Sequence, residues 1–350
     1  MCAIISAYAP ACRSLAPRVP AKPAEVCYAF FRRESCGHCE GHFSVTRSCG
    51  FGSSRFTMGN MRLGMLFAGL ALMGAGAGSA LSPAGPQTIR LETQRSSPQD
   101  LEITGDVPGV PAGQSRFLRY SELAALKQVA VTVKDDANFD QPVALAGVPL
   151  DELMQALGFS GTTRQLIAAV CTDGYEGHYT AEYRAAHHPF LVLTINSKPS
   201  GQWPRASSGE IYGPYIVSHP FFKSTFKILG QPEEPQIPFA VNQLRFYDEA
   251  AILSSLKPAS SAGPVAIEGY RIVLQNCLRC HRAADIGGSK SPFQWPQLAM
   301  IANGNASAFG KYMVQPNRVN PEATMPPNPA FDAATVAAVT AYFQSQGPKP

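Results

Sequence analysis

Cys277-Leu278-Arg279-Cys280-His281 is the stretch of this chain whose residue types and spacing most constrain its chemistry. Two thiols three positions apart, near the end of a helical segment, can each add to a vinyl group of one porphyrin, and the adjacent imidazole then reaches the iron. A redox dithiol or half of a zinc site would need the cysteines but not the histidine directly behind them. The expectation is one covalent c-type haem per chain, attached through Cys277 and Cys280, with His281 as axial ligand.

Iron held by one imidazole takes a sixth ligand, and a thioether there raises the reduction potential. Met325 is the candidate, because Pro326, Pro327 and Pro329 stiffen the loop that carries it. Met300 and Met313 also follow the motif, in segments 298–301 and 309–314 whose helix-like apolar pattern predicts burial instead.

Two helices must position this site. Residues 266–274 place apolar side chains at helical spacing just before the cysteines, and residues 333–343 form a second amphipathic segment ending in Tyr342-Phe343. With Gly269, the haem motif, the Met-Pro-Pro loop and this closing helix, the last ninety or so residues resemble the class I cytochrome c family. The resemblance implies an all-α domain in which the two helices cross through a small residue and an aromatic, matched by Gly269 and by Tyr342 or Phe343. It also implies that a proline after the motif accepts the histidine N–H through its carbonyl, for which Pro292 and Pro296 compete; that bond would fix the imidazole.

Haem c is assembled outside the cytoplasm, and the chain carries an export signal to match. Met61-Arg62 supplies a charged start, residues 63–73 an apolar run, and residues 74–80 small residues suited to cleavage. Residues 58–80 are therefore read as a signal peptide and the protein as periplasmic, with membrane contact only if the signal stays uncleaved. Residues 1–57, with six cysteines and no sustained periodicity, read as a non-native upstream extension. Within them Cys36-Gly37-His38-Cys39 is a redox-type spacing that His42 could extend to a metal set, but no strand and helix pattern surrounds it.

Residues 81–255 carry 13 Lys plus Arg against 18 Asp plus Glu, a net −5, while residues 256–350 carry 8 against 4, a net +4. Nothing in this balance suggests nucleic-acid binding. The basic haem segment could face the acidic middle domain or an acidic redox partner protein.

The middle domain, 81–255, is long enough for its own core and leads through a small-residue and proline linker, 256–264, into the haem segment, 265–350. Strands are expected at 101–105, 129–133 and 166–170, with helices at 120–128 and from Val148 to Leu157, giving a sheet-rich α+β domain. Ala146 to Leu153, Thr172-Asp173-Gly174-Tyr175, 190–196 and Gly213-Pro214-Tyr215-Ile216-Val217 resemble the molybdopterin-binding domain of the sulfite oxidase family. That resemblance implies a molybdopterin cofactor with Cys171, after the strand at 166–170, as metal ligand. The chain departs from it: Thr172-Asp173-Gly174 replaces the usual small-residue and asparagine sequence, and Ile216 stands where an arginine is expected. Cys171 is accordingly expected to be a buried apolar thiol. His178, His187 and His188 could form a pocket with Cys171; loop capping or bonding to backbone carbonyls is the plainer reading for these and for His219. Asp173-Gly174 is expected to make a turn with Gly174 at positive φ, and Tyr212, Tyr215, Phe221, Phe222 and Phe226 are expected in the core.

Electron transfer through a His281/Met325-ligated haem is thus the expected function. Two alternatives concern the middle domain: a molybdopterin-dependent oxidoreductase passing electrons to the haem, or a domain that binds a ligand or partner and docks the cytochrome to it.

Overall fold

Runs of β-branched and aromatic residues broken by glycine and proline form the strands between Leu91 and Asp248, and apolar residues at helical spacing form the helices from Gly263 onward. The computed structural model describes residues 89–161, 164–206 and 209–347. The upstream extension, with Cys36, Cys39 and His42, and the signal peptide lie outside the described residues.

In chain order the sheet half contains β1 (Leu91–Glu92), β2 (Leu101–Gly105), β3 (Arg116–Leu118), α1 (Tyr120–Ala125), β4 (Val129–Val133), β5 (Val143–Pro149), α2 (Leu150–Ala156), β6 (Gln165–Cys171) and β7 (Glu176–Tyr179). There follow α3 (Ala181–His187), β8 (Phe190–Ile195), β9 (Lys198–Pro199), β10 (Tyr215–Ser218), β11 (Lys227–Ile228), β12 (Gln231–Pro232), β13 (Phe239–Asp248) and α4 (Glu249–Ser254). The helical half contains α5 (Gly263–Asn276), α6 (Trp295–Gly304), α7 (Ala306–Val314), α8 (Pro316–Val319) and α9 (Ala333–Gln346).

β13 organises a mixed sheet. One of its edges takes β6 antiparallel, from Val241 opposite Cys171 to Asp248 opposite Gln165. Its other edge pairs first with β10, antiparallel, and then with β2, parallel. From β10 the sheet continues through β8 and β5 to β4. β13 was not anticipated from sequence, since its polar Asn242, Gln243 and Arg245 interrupt the apolar pattern of a central strand.

Local preference gives way to pairing in two places. Val148 and Pro149, expected to open a helix, instead finish β5 opposite Leu191 and Phe190, and α2 begins at Leu150. α1 ends at Ala125 because Leu126 turns extended, well short of residue 128.

The alternation of side chains along a strand gives β6 two different neighbours. Ile167, Ala169 and Cys171 join the core of the sheet half, with Leu191, Tyr215 and Phe246. Leu166 and Ala168 join Tyr247 and Ile228 in a second core, shared with Ile272, Leu278, Ile286 and Tyr342 of the helical half. The two halves therefore meet through a common apolar core. The segment between them takes part: Leu256 is buried, and its carbonyl accepts from the Tyr342 hydroxyl at 2.8 Å.

In the helical half α5 crosses α9 at Gly269. A Cβ built there would lie 2.0 Å from the carbonyl oxygen of Ala338 and 2.9 Å from Cβ of Tyr342, so only glycine permits this approach. Tyr342, not Phe343, is thus the aromatic at the crossing. Phe343 packs edge-on against Trp295 and Phe309, and its burial contributes about 2 kcal/mol.

Candidate functional site

The Cys277-to-His281 segment continues α5 by a turn. Cys277 N–H donates to Val273 O at 2.9 Å, and His281 N–H to Cys277 O at 3.0 Å, so both cysteines and the histidine gather at one helix end. The chain then folds back over the motif, with Gly288 N–H bonded to Leu278 O, Ser291 N–H to Cys280 O and Trp295 N–H to Arg282 O.

This return brings the carbonyl of Phe293 to 2.7 Å from His281 Nδ1. A carbonyl only accepts, so Nδ1 carries the proton and Nε2 keeps its lone pair free to ligate a metal. Neither Pro292 nor Pro296 supplies this bond: Pro296 already lies in the first turn of α6, and the carbonyl that reaches the ring belongs to the residue after Pro292. Burial makes the His281 ring harder to protonate, with the Phe293 carbonyl working against that effect. Burial also pushes the Cys277 thiol up to about 12 and raises that of Cys280, so both are neutral thiols near pH 7.

Met325 lies half-buried in its proline-rich loop. Asn328 anchors that loop to the end of α7, donating from Nδ2 to Met313 O at 2.9 Å and from its backbone to Val314 O at 3.1 Å. Met313 is core, as its helical pattern predicts. Met300 is not: α6 turns Trp295, Leu298, Ala299 and Ala302 inward and leaves Met300 65% exposed.

The sheet half grips the outer side of the Cys277-to-His281 segment. Glu176 N–H donates to Arg279 O at 2.9 Å, and Ser289 N–H to Gly174 O at 2.7 Å. Lys290 Nζ stands 2.6 Å from Asp173 Oδ2, and Arg279 Nη1 stands 3.3 Å from Glu234 Oε2. Tyr247 donates its hydroxyl to Asp285 O at 2.6 Å. The basic helical half thus faces the acidic sheet half through defined ion pairs. Gly174 has φ +84°, the turn expected of Asp173-Gly174, and a Cβ there would fall 2.6 Å from Ser289 Oγ. Sequence reading missed Glu176, Glu234 and Arg279 as seam residues, because they become neighbours only when the halves meet.

Cys171 ends β6 on the face turned into the sheet core. Burial first, then the charge of Asp173, drives its thiol far above the ordinary cysteine range. A molybdenum ligand must be a thiolate, so a metal bound here would itself have to displace this proton. The turn behind it is also occupied by Ser289 and Lys290 of the helical half.

The histidines take different polar partners, although His187 and His219 pack together around Tyr183 and Phe222. His178 Nε2 meets Glu176 Oε2 at 3.1 Å, His187 Nε2 meets Glu233 Oε1 at 3.0 Å, and His219 Nε2 meets the Tyr183 hydroxyl at 2.9 Å. Their partners are carboxylates and a phenol, not the backbone carbonyls expected, while His188 caps α3 in a left-handed conformation and is exposed. Among the described residues no group of three or more His, Cys, Asp or Glu side chains is arranged to hold a metal ion. The aromatic set also divides: Tyr212 and Tyr215 are buried in different cores, Phe222 stacks on His187, Phe226 lies under Arg271, and Phe221 is 66% exposed.

No family model matches the chain, and no curated protein matches it. One solved structure it is similar to is the sulfane dehydrogenase SoxCD from Paracoccus pantotrophus, at 15% identity and a TM-score of 0.29. The likeness covers 45% of this chain and 40% of that one, so the chain spans well under half the length of that relative, and at this level it carries no argument about function.

Proposed function

We propose that this chain is an exported, periplasmic c-type cytochrome that passes single electrons to and from a redox partner protein, through one haem held by Cys277, Cys280, His281 and Met325. The observation that carries the reading is the His281 Nδ1–H bond to Phe293 O, which aims a lone-pair nitrogen from a residue directly behind two thiols at one helix end. When bound, the haem supplies a reversible ferrous/ferric couple. The chain's part is to fix that group: the cysteines tether it, the Phe293 carbonyl orients the imidazole and raises its donor strength, and the Gly269 crossing sets the helix that carries the motif.

In this reading the sheet half is a docking body for the cytochrome. The seam contacts at Arg279, Ser289 and Lys290 support it, and the packing of Cys171 among the apolar residues of the sheet core fits a structural role for that thiol.

The test is the purified mature protein. Haem should remain with the polypeptide after acid–acetone extraction, and haem recovered wholly in the organic phase would refute the assignment. Met325→Ala should lower the reduction potential and abolish the sulfur-to-iron absorption band, since a soft thioether favours ferrous iron. An unchanged potential and band would move the ligand to Met313 or Met300.

A further inference from the structure

Glu176 is a carboxylate from the sheet half that is 1% exposed and lies against the attachment loop. Its Oε2 accepts from the Gly287 N–H and from His178 Nε2, each at 3.1 Å, and its Oε1 stands 3.8 Å from Arg245 Nη1. Its own N–H holds the carbonyl of Arg279, one of the two residues between the attachment cysteines. Gly287 belongs to the loop that returns over His281. One residue of the sheet half thus grips the haem motif on both sides of its histidine.

An isolated carboxylate at this depth would take up a proton. Burial pushes that way, but the His178 ring, the Arg245 guanidinium and the Gly287 N–H together hold the Glu176 carboxyl below the ordinary range. The seam therefore contains a fixed negative charge, with a cation behind it, in a poorly screened environment.

We propose that Glu176 is a positioning residue for the haem, clamping the attachment loop through Gly287 and Arg279 and holding the reduction potential down by its charge, with Arg245 opposing it. The inference rests on the haem reading above. Ferrous iron that gives its electron to the partner protein gains one positive charge, and a nearby carboxylate favours that ferric state. Removing the carboxylate charge favours the ferrous state, and removing the guanidinium charge favours the ferric.

The experiment is a spectroelectrochemical titration of the mature full chain, with haem content fixed beforehand by its pyridine haemochrome. Absence of haem from the unaltered protein would defeat the haem reading and this inference with it; haem present in every sample isolates the inference. Glu176→Gln keeps an acceptor for Gly287 and should shift the redox equilibrium about tenfold toward ferrous haem, a rise of about 59 mV for one electron. Arg245→Gln should shift it the opposite way, and that variant carries the test alone if Glu176→Gln does not fold. A seam merely loosened would admit water and move both variants in the same direction, so shifts of equal sign, or none, would overturn the proposal. Glu176→Ala should also speed amide exchange at Gly287, and unchanged protection there would remove the clamp.

Discussion

Cys171 ends a strand and the pair Cys277/Cys280 ends a helix, and the two settings surround sulfur in different ways. Cys171 shares its face of β6 with Ile167 and Ala169 and is enclosed by the sheet core. The pair stands at a chain reversal, half-exposed, with an oriented imidazole beside it. All three thiols are protonated near neutrality because burial raises each of them. Thiol acidity therefore does not distinguish them; access and the neighbouring histidine do.

The largest effect should come from taking that comparison apart. Cys277→Ala with Cys280→Ala should abolish covalent haem, read by acid–acetone extraction, while Cys171→Ser should leave haem content unchanged. Haem retained by the double variant, or lost from the single one, would erase the distinction. Next in size is Gly269→Val, whose side chain would collide with the Ala338 carbonyl and force α5 from α9. A loss of about 3 kcal/mol or more is expected in denaturant unfolding, and an unchanged midpoint would mean that the crossing tolerates separation.

A pH effect sharpens the sheet side. Burial, reinforced by His187, lowers the pKa of His219 from 6.5 to about 3, so the unfolded chain binds a proton over a range in which the folded chain does not. Stability from this site is complete above pH 6.5 and is lost as pH falls toward about 3. Thermal melting across that window should show the decline, and His219→Gln should flatten it. Smallest is the stability cost of Cys171→Ser, about 1–3 kcal/mol for a hydroxyl placed in the sheet core. Equal melting temperatures would show that the site is not apolar.

The two halves were also unequally legible in the sequence. In the helical half the chemistry is local: the thiols, the imidazole and the two crossing helices are specified by spacing within short segments. Even there the carbonyl holding His281 came from Phe293, since which backbone group reaches the ring depends on how the return loop closes. In the sheet half, strands such as Leu101–Gly105 and Val129–Val133 could be read from their own residues. β13 could not, because its polar residues are made acceptable by strands on both edges. The seam was illegible for the same reason: Glu176 and Gly287 are 111 positions apart and neither stands in a motif.

The shared core beneath β6 has a kinetic meaning. A haem module on a free tether could swing between donor and acceptor, and its turnover would follow the length and stiffness of that tether. Here Leu256, at the start of the segment leading into α5, is itself buried and bonded to Tyr342. A haem held by the proposed ligands would thus be presented at one fixed bearing, and its throughput would be set by how often a partner arrives in the right orientation.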